Sequence, residues 1–311
     1  GTQNTALGFD SLRNNTTGIR NTAIGANALC CNTVGVKNIA IGPLSLRYNT
    51  SGGSNIAIGY SALRNNSTQS NNVAIGDLSM FAGSGNNNTG IGAITLAYNT
   101  TDGSTAVGSD ALRENTTGTF NTAVGFRALR LNTVGGSNTA IGHYSLFCNT
   151  ASNNTAVGFC ALRLNTTGGA NTALGFRVLV NNTTGTNNTS VGNNAAQGNT
   201  VGYNNTALGS EALKYNLVGL SNTALGVSAL FYNAASYNTA TGVNALRKNT
   251  AGTQNSAFGI SALICNTTGN CNTAVGGFSL LYNTGGSGNT AIGHQSLRNN
   301  TASGNTAVGF C

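Results

Sequence analysis

Two histidines, six acids and seven cysteines are the side chains of this sequence best suited to proton transfer, nucleophilic attack or metal ligation. His143 and His294 each follow the glycine of the same local phrase, nine copies apart. At the ordinary spacing of stacked strands that separates them by roughly 40 Å, so they form no pair. Asp10, Asp110 and Glu211 share one place in the phrase but stand several copies apart; Asp77, Asp102 and Glu114 are the remaining acids. Paired carboxylate chemistry needs its two groups within about 5–10 Å, and no such pair follows from these spacings. No enzyme and no cofactor is expected.

The cysteines are Cys30, Cys31, Cys148, Cys160, Cys265, Cys271 and Cys311. None has zinc-site spacing or a nearby histidine. Cys265 and Cys271 flank a turn within one copy, and Cys148 and Cys160 lie in neighbouring copies. Either pair forms a disulfide if the geometry brings its Cα atoms within about 7 Å. Cys30, Cys31 and Cys311 are the candidates for links between chains.

The cations are more regular. Arg13, Arg47, Arg64, Arg113, Arg130, Arg163, Lys214, Arg247 and Arg298 all stand five residues after the glycine of the phrase. They suit first a solvated face that keeps the rod soluble; the alternatives are a track for an anionic glycan, nucleic acid or acidic neighbour and a face that packs on another chain. Aromatics take two further places: Phe9, Tyr60, Phe126, Phe159, Phe176 and Phe310 one residue after the glycine, and Tyr48, Tyr98, Tyr215, Tyr232 and Tyr282 six after it. Such rows suit sugar stacking or packing between chains, and the second is favoured because apolar patches rarely stay bare.

What positions these residues is the phrase itself. Asn-Thr-Ala-apolar-Gly recurs from Gly8 to Gly309 in 19 copies, thirteen intervals being 17 residues and five being 16. We number each copy from its glycine as position 0. Position −1 is apolar in 18 of 19 copies, −2 is Ala in 17, −4 is Asn in 18, +4 is Leu in 16 of 18, and +7 is Asn in 17 of 18. The pattern fills the chain, so one continuous repeat domain over residues 1–311 is expected. A unit this short cannot bury its own apolar face, but stacked units can. It is also too short for leucine-rich or helical-pair repeats. The expectation is an all-β parallel β-solenoid of about 19 coils, with two short strands and two turns per coil.

In that solenoid Leu12, Leu29, Leu46, Leu63, Leu112, Leu129, Leu162, Leu213 and Leu246 point inward as a core ladder. Asn15, Asn32, Asn49, Asn115, Asn132, Asn165 and Asn249 stack as an amide ladder of the kind known in cross-β structures. In the strand Thr-Ala-apolar, alternation puts Thr and the apolar residue on one face and Ala on the other. The apolar residue suggests that its face is the inner one. Regular threonine columns suit ice binding, but inward threonines cannot serve it, so that role is set aside. Eighteen steps of strand spacing give a rod of roughly 85–90 Å.

Composition sharpens the class. Charged residues are 6% of 311, far below the roughly 25% of an ordinary domain. The net charge of +8 reflects scarce acids more than abundant bases. No basic cluster or motif points to nucleic acid, and no apolar run reaches the roughly 18 residues of a membrane span, so no membrane insertion is expected. Neither end of the repeat carries a polar cap, which suits a window of a longer chain or a subunit that stacks head to tail.

Asn-Thr-Ala-Ile-Gly is similar to the repeats in the heads of trimeric autotransporter adhesins. The longer phrase Asn-Thr-Ala-x-Gly-x-x-Ala-Leu-x-x-Asn-Thr-Thr-Gly resembles repeats of phage and giant-virus fibre proteins. The resemblance covers the whole chain. It implies a left-handed β-roll and a homo-oligomer, three chains side by side in the adhesin heads. It also implies an extracellular, cell-surface or virion-surface location, where the chain is a structural fibre or an adhesin head. The adhesin coils are nearer 14 residues, shorter than those here.

Overall fold

The computed structural model describes residues 1–83 and 85–310. Nineteen strands of three residues each form one parallel sheet, a β-solenoid of about 18 turns, and no helix forms among the described residues. The chain divides into two compact units, Gly1–Asn154 and Thr155–Cys311. The first unit holds β1 (Thr5–Leu7) through β9 (Thr139–Ile141), and the second holds β10 (Thr155–Val157) through β19 (Thr306–Val308). Within each unit the register is strict: every residue pairs with its counterpart one copy on. Thr5, Ala6 and Leu7 pair with Thr22, Ala23 and Ile24, and Thr206, Ala207 and Leu208 pair with Thr223, Ala224 and Leu225.

Each coil has one strand, where the sequence suggests two. The segment after the glycine is turn throughout because positions +2 and +4 have left-handed backbone, as at Ser61 (φ 55°) and Leu63 (φ 49°). Left-handed backbone costs a leucine about 1–2 kcal/mol. Full burial of its side chain, worth about 1.5–3 kcal/mol, offsets this. The segment still bonds from coil to coil: Leu29 N–H donates to Ser45 O at 3.0 Å and Cys31 N–H to Arg47 O at 3.1 Å.

The leucine ladder stands as read. Leu29, Leu46, Leu63, Leu112, Leu129, Leu162, Leu213 and Leu246 are wholly buried, and Leu12 is nearly so. The strand, however, is turned the other way. Ala at −2 faces the core, fully buried from Ala23 to Ala291, whereas Thr at −3 and the apolar residue at −1 face outward. Space decides this. Opposite −2 lie the side chains of +3 and +4: a Cβ added at Gly90 would sit 2.9 Å from Ser79 Oγ and 3.3 Å from Met80 Cγ. Once the leucines are in place, the strand can add nothing larger than a methyl group to the core.

Two asparagine ladders fill the rest of the interior. At +7, Asn32 Nδ2 donates to Asn15 Oδ1 at 2.8 Å and Asn49 Nδ2 to Asn32 Oδ1 at 2.8 Å, each also capping a carbonyl of its own turn. Asn132 donates likewise to Asn115, Asn182 to Asn165 and Asn249 to Asn233. At −4, Asn38 and Asn55 repeat the pattern with backbone donors added: Asn55 N–H donates to Asn38 Oδ1 at 3.0 Å. Buried amides are tolerable only when bonded in this way.

The glycine at position 0 is required by both conformation and space. At Gly125 φ is 132°, and an added Cβ would lie 2.7 Å from the backbone carbonyl of Gly142 in the next coil.

Candidate interaction surface

The outer surface carries three kinds of column. The first is the +5 row of cations. Five of its arginines lie over rings of their own or neighbouring coils. Arg47 lies over Tyr48 with its guanidinium carbon 5.0 Å from the ring centre, Arg64 lies between Tyr48 and Phe81, and Arg247 lies over Phe231 and Tyr232. Arg298 lies over Tyr282 and Arg130 over Phe147. The Nε atoms of Arg47, Arg64 and Arg247 are buried without a hydrogen-bond partner, so the stems pack while the heads reach solvent. Arg13 and Arg163 are exposed. Arg13 bonds to Asp10, three residues earlier, at 3.1 Å. Lys214 bonds to Glu211 at 2.7 Å, and that bond holds its ammonium above the ordinary pKa.

One place in the first unit gathers several of these groups. Asp110, almost fully buried, is approached by Arg113 at 3.6 Å, Arg127 at 3.3 Å and Arg130 at 3.9 Å. Arg127 also donates to Tyr144 Oη at 2.9 Å. That bond first, and the one to Asp110 after it, raise the guanidinium pKa further. Phe126 stacks on His143 with ring centres 5.1 Å apart. Arg127 stands at +2, outside the +5 column, and only the fold brings it to Asp110.

The second kind of column is aromatic. Tyr48, Tyr98, Tyr215, Tyr232 and Tyr282 at +6 are each 40–47% exposed, and Tyr215 and Tyr232 stack at 5.5 Å. At +1, Phe159 and Phe176 stack at 5.4 Å with both rings exposed. His294 stacks on Phe310 at 5.4 Å.

The third is the outer face of the sheet, with Thr at −3 and Leu, Ile or Val at −1 in most coils. The sequence reading turned this face inward. The missed signal is the smallness of Ala at −2 in 17 of 19 coils, since only a crowded interior demands one small residue so regularly.

The cysteines do not bridge. All six described cysteines are thiols. Cys265 is half-buried and Cys271 exposed, and Cys271 Sγ faces Gln254 Oε1 at 3.4 Å on the preceding coil. Cys148 and Cys160 occupy unlike positions, +6 and +2, and no disulfide joins them. Cys30 and Cys31 lie side by side with sulfurs 3.5 Å apart, Cys30 buried in its own coil and Cys31 half-buried. Burial pushes both the Cys31 and the Cys160 thiols up. Cys311 lies outside the described residues.

Among the described residues no group of three histidines, cysteines or acids is placed to hold a metal ion, and no helix is long and apolar enough to cross a membrane. Comparison with known proteins gives no matching family model and no matching curated sequence.

Proposed function

We propose that this chain is a structural rod, the repeat shaft of an extracellular or virion-surface fibre, and that it self-associates through its aromatic columns. The observation that carries the reading is the exposed tyrosine row at +6, held at fixed pitch by a strictly registered sheet. Rows of exposed rings on a rigid repeat are costly to leave in water and suit multivalent contact between identical chains. The interior is devoted to stacking, with leucine and amide ladders that stiffen the coil. The resemblance to fibre-protein repeats supports the same role.

The test is sedimentation and negative-stain electron microscopy of the purified chain, beside a variant with Tyr215, Tyr232 and Tyr282 changed to Ser. Bundles or trimers that dissociate in the variant support the proposal. A monodisperse monomer at micromolar concentration overturns it. The rival reading, an adhesin head that binds an anionic glycan, draws on one place. There Arg113, Arg127 and Arg130 outnumber Asp110 and Glu114 beside the rings of Phe126 and Tyr144. It predicts binding to acidic but not neutral oligosaccharides, lost when Arg127 becomes Gln.

A further inference from the structure

The outer face of the sheet differs between the two units in a way the fold does not require. In the first unit position −3 is Thr in six strands but Ile39, Ile56 and Val73 in three, and all fit the same register. In the second unit every strand carries a hydroxyl there: Thr155, Thr172, Thr189, Thr206, Thr223, Thr239, Ser256, Thr273, Thr290 and Thr306. β-Branched aliphatic residues suit a strand at least as well as threonine. The unbroken hydroxyl row therefore asks for a reason outside folding.

The hydroxyls are uncommitted. Among the described residues no side-chain hydrogen bond uses the −3 hydroxyl of any strand. The threonines at +8 do the opposite, as where Thr183 Oγ1 donates to Thr200 O at 3.0 Å and Thr200 Oγ1 to Leu217 O at 2.9 Å. Beside the row, position −1 supplies methyl groups from Val157, Leu174, Val191, Leu208, Leu225, Val275, Ile292 and Val308, with Thr241 and Phe258 as the departures. Neither row of the second unit contains a charge.

The result is a two-dimensional grid. Ranks repeat at about 4.8 Å along the coil axis, and the two rows stand roughly 6.7 Å apart, twice the rise per residue. Threonine is stiff at χ1, so in-register threonines present their hydroxyls at the same pitch as the backbone. A second copy of the sheet is a poor occupant, because it would bury ten hydroxyls against apolar rows without partners. Ordered water is a good one. Hydroxyls can take lattice positions, and the neighbouring methyl groups restrain the first water layer.

We infer that the sheet face formed by β10 to β19 binds ice, with the −3 hydroxyls held at a pitch close to the shorter repeat of the hexagonal lattice. This is separate from self-association through the aromatic columns, and the two can fail independently.

The experiment is nanolitre osmometry and ice-affinity partitioning of the full chain, with sedimentation of the same samples to record the state of association. A gap between melting and freezing, faceted crystals and uptake into growing ice are expected. Thr206→Lys combined with Thr223→Lys should abolish all three while circular dichroism and melting temperature stay close to wild type. Thr184→Lys, at an exposed position +9 away from the grid, should leave them intact. Coincident melting and freezing with exclusion from ice overturns the inference. So does activity that survives the double variant, or activity lost equally in Thr184→Lys.

Discussion

Asn66 and Gly83 are consecutive members of one column, and the +7 amide ladder stops between them. Asn66 Nδ2 donates to Asn49 Oδ1 at 2.8 Å, but its own Oδ1 is buried without a partner because Gly83 brings no amide to it. Gly83→Asn should restore the rung. A Cβ at this site meets Asn99 O at 3.2 Å and Met80 O at 3.3 Å, a tight fit that Gly83→Ala shares. The difference between the two variants therefore isolates the hydrogen bond. Gly83→Asn should exceed Gly83→Ala in unfolding free energy by about 1 kcal/mol in denaturant titration. Equal stability would show that the ladder contributes nothing net at this rung.

Glycines of equal sign of φ should respond unequally to a methyl group. Gly125→Ala combines left-handed strain of about 1–3 kcal/mol with a backbone clash, and it should unfold the surrounding coils or lower the melting point steeply. Gly288, with φ 67° and open space around its Cβ position, should lose only about 1–2 kcal/mol as Ala. Thermal melts of the two single variants give the comparison.

The buried thiols give the protein an alkaline sensitivity. Burial raises the Cys160 pKa, so the folded state holds that proton more tightly than the unfolded chain. Its contribution is intact below the ordinary thiol range and is lost as pH rises through the folded value. Between about pH 7 and about pH 10, spanning the unperturbed thiol pKa, the urea midpoint of wild type should fall more than that of Cys160→Ala. Alkylation should follow access as well, with exposed Cys271 modified before buried Cys160.

Two glycosylation sequons, Asn115-Thr116-Thr117 and Asn165-Thr166-Thr167, place their asparagines in the ladder interior with no exposed surface. Asn115 Nδ2 is engaged by Asn99 Oδ1 at 2.6 Å and Gly118 O at 2.7 Å. A folded chain offered to oligosaccharyltransferase should remain unmodified at both sites, and intact mass would show it. In a secretory host, glycans should appear there only on misfolded product.

The repeat, the parallel stacking, the leucine core and the amide ladder were all legible in the sequence. Each rests on a residue type that recurs at one spacing, as at Leu129 and Asn132. The phase of the strand was not legible. Thr122-Ala123-Val124 alternates as a strand should, and hydrophobicity favours Val124 as the inner residue. It is the volume already taken by +3 and +4 that admits only Ala123. The left-handed leucines were hidden for a similar reason: nothing in the type of Leu63 announces φ 49°, which tertiary packing imposes. The meeting of Arg127 with Asp110 joins two coils and so required the register. The thiol state of Cys265 and Cys271 was not legible either, since proximity in the chain does not decide whether two sulfurs meet.

The amide ladder also has a sense. Along the +7 column the N–H end of the amide points to the earlier coil and the carbonyl end to the later one, as Asn182 does toward Asn165 and Asn266 toward Asn249. Side-chain dipoles thus add head to tail along each unbroken run of the column, in a sheet whose backbone N–H groups donate both forward, as Thr5 does to Asn21, and backward, as Arg20 does to Thr2. Each rung polarises the next. Each unbroken run is therefore an electrically oriented stack, positive toward its low-numbered coils and negative toward its high-numbered ones. Separate copies of such a run, laid side by side, attract when they point in opposite directions.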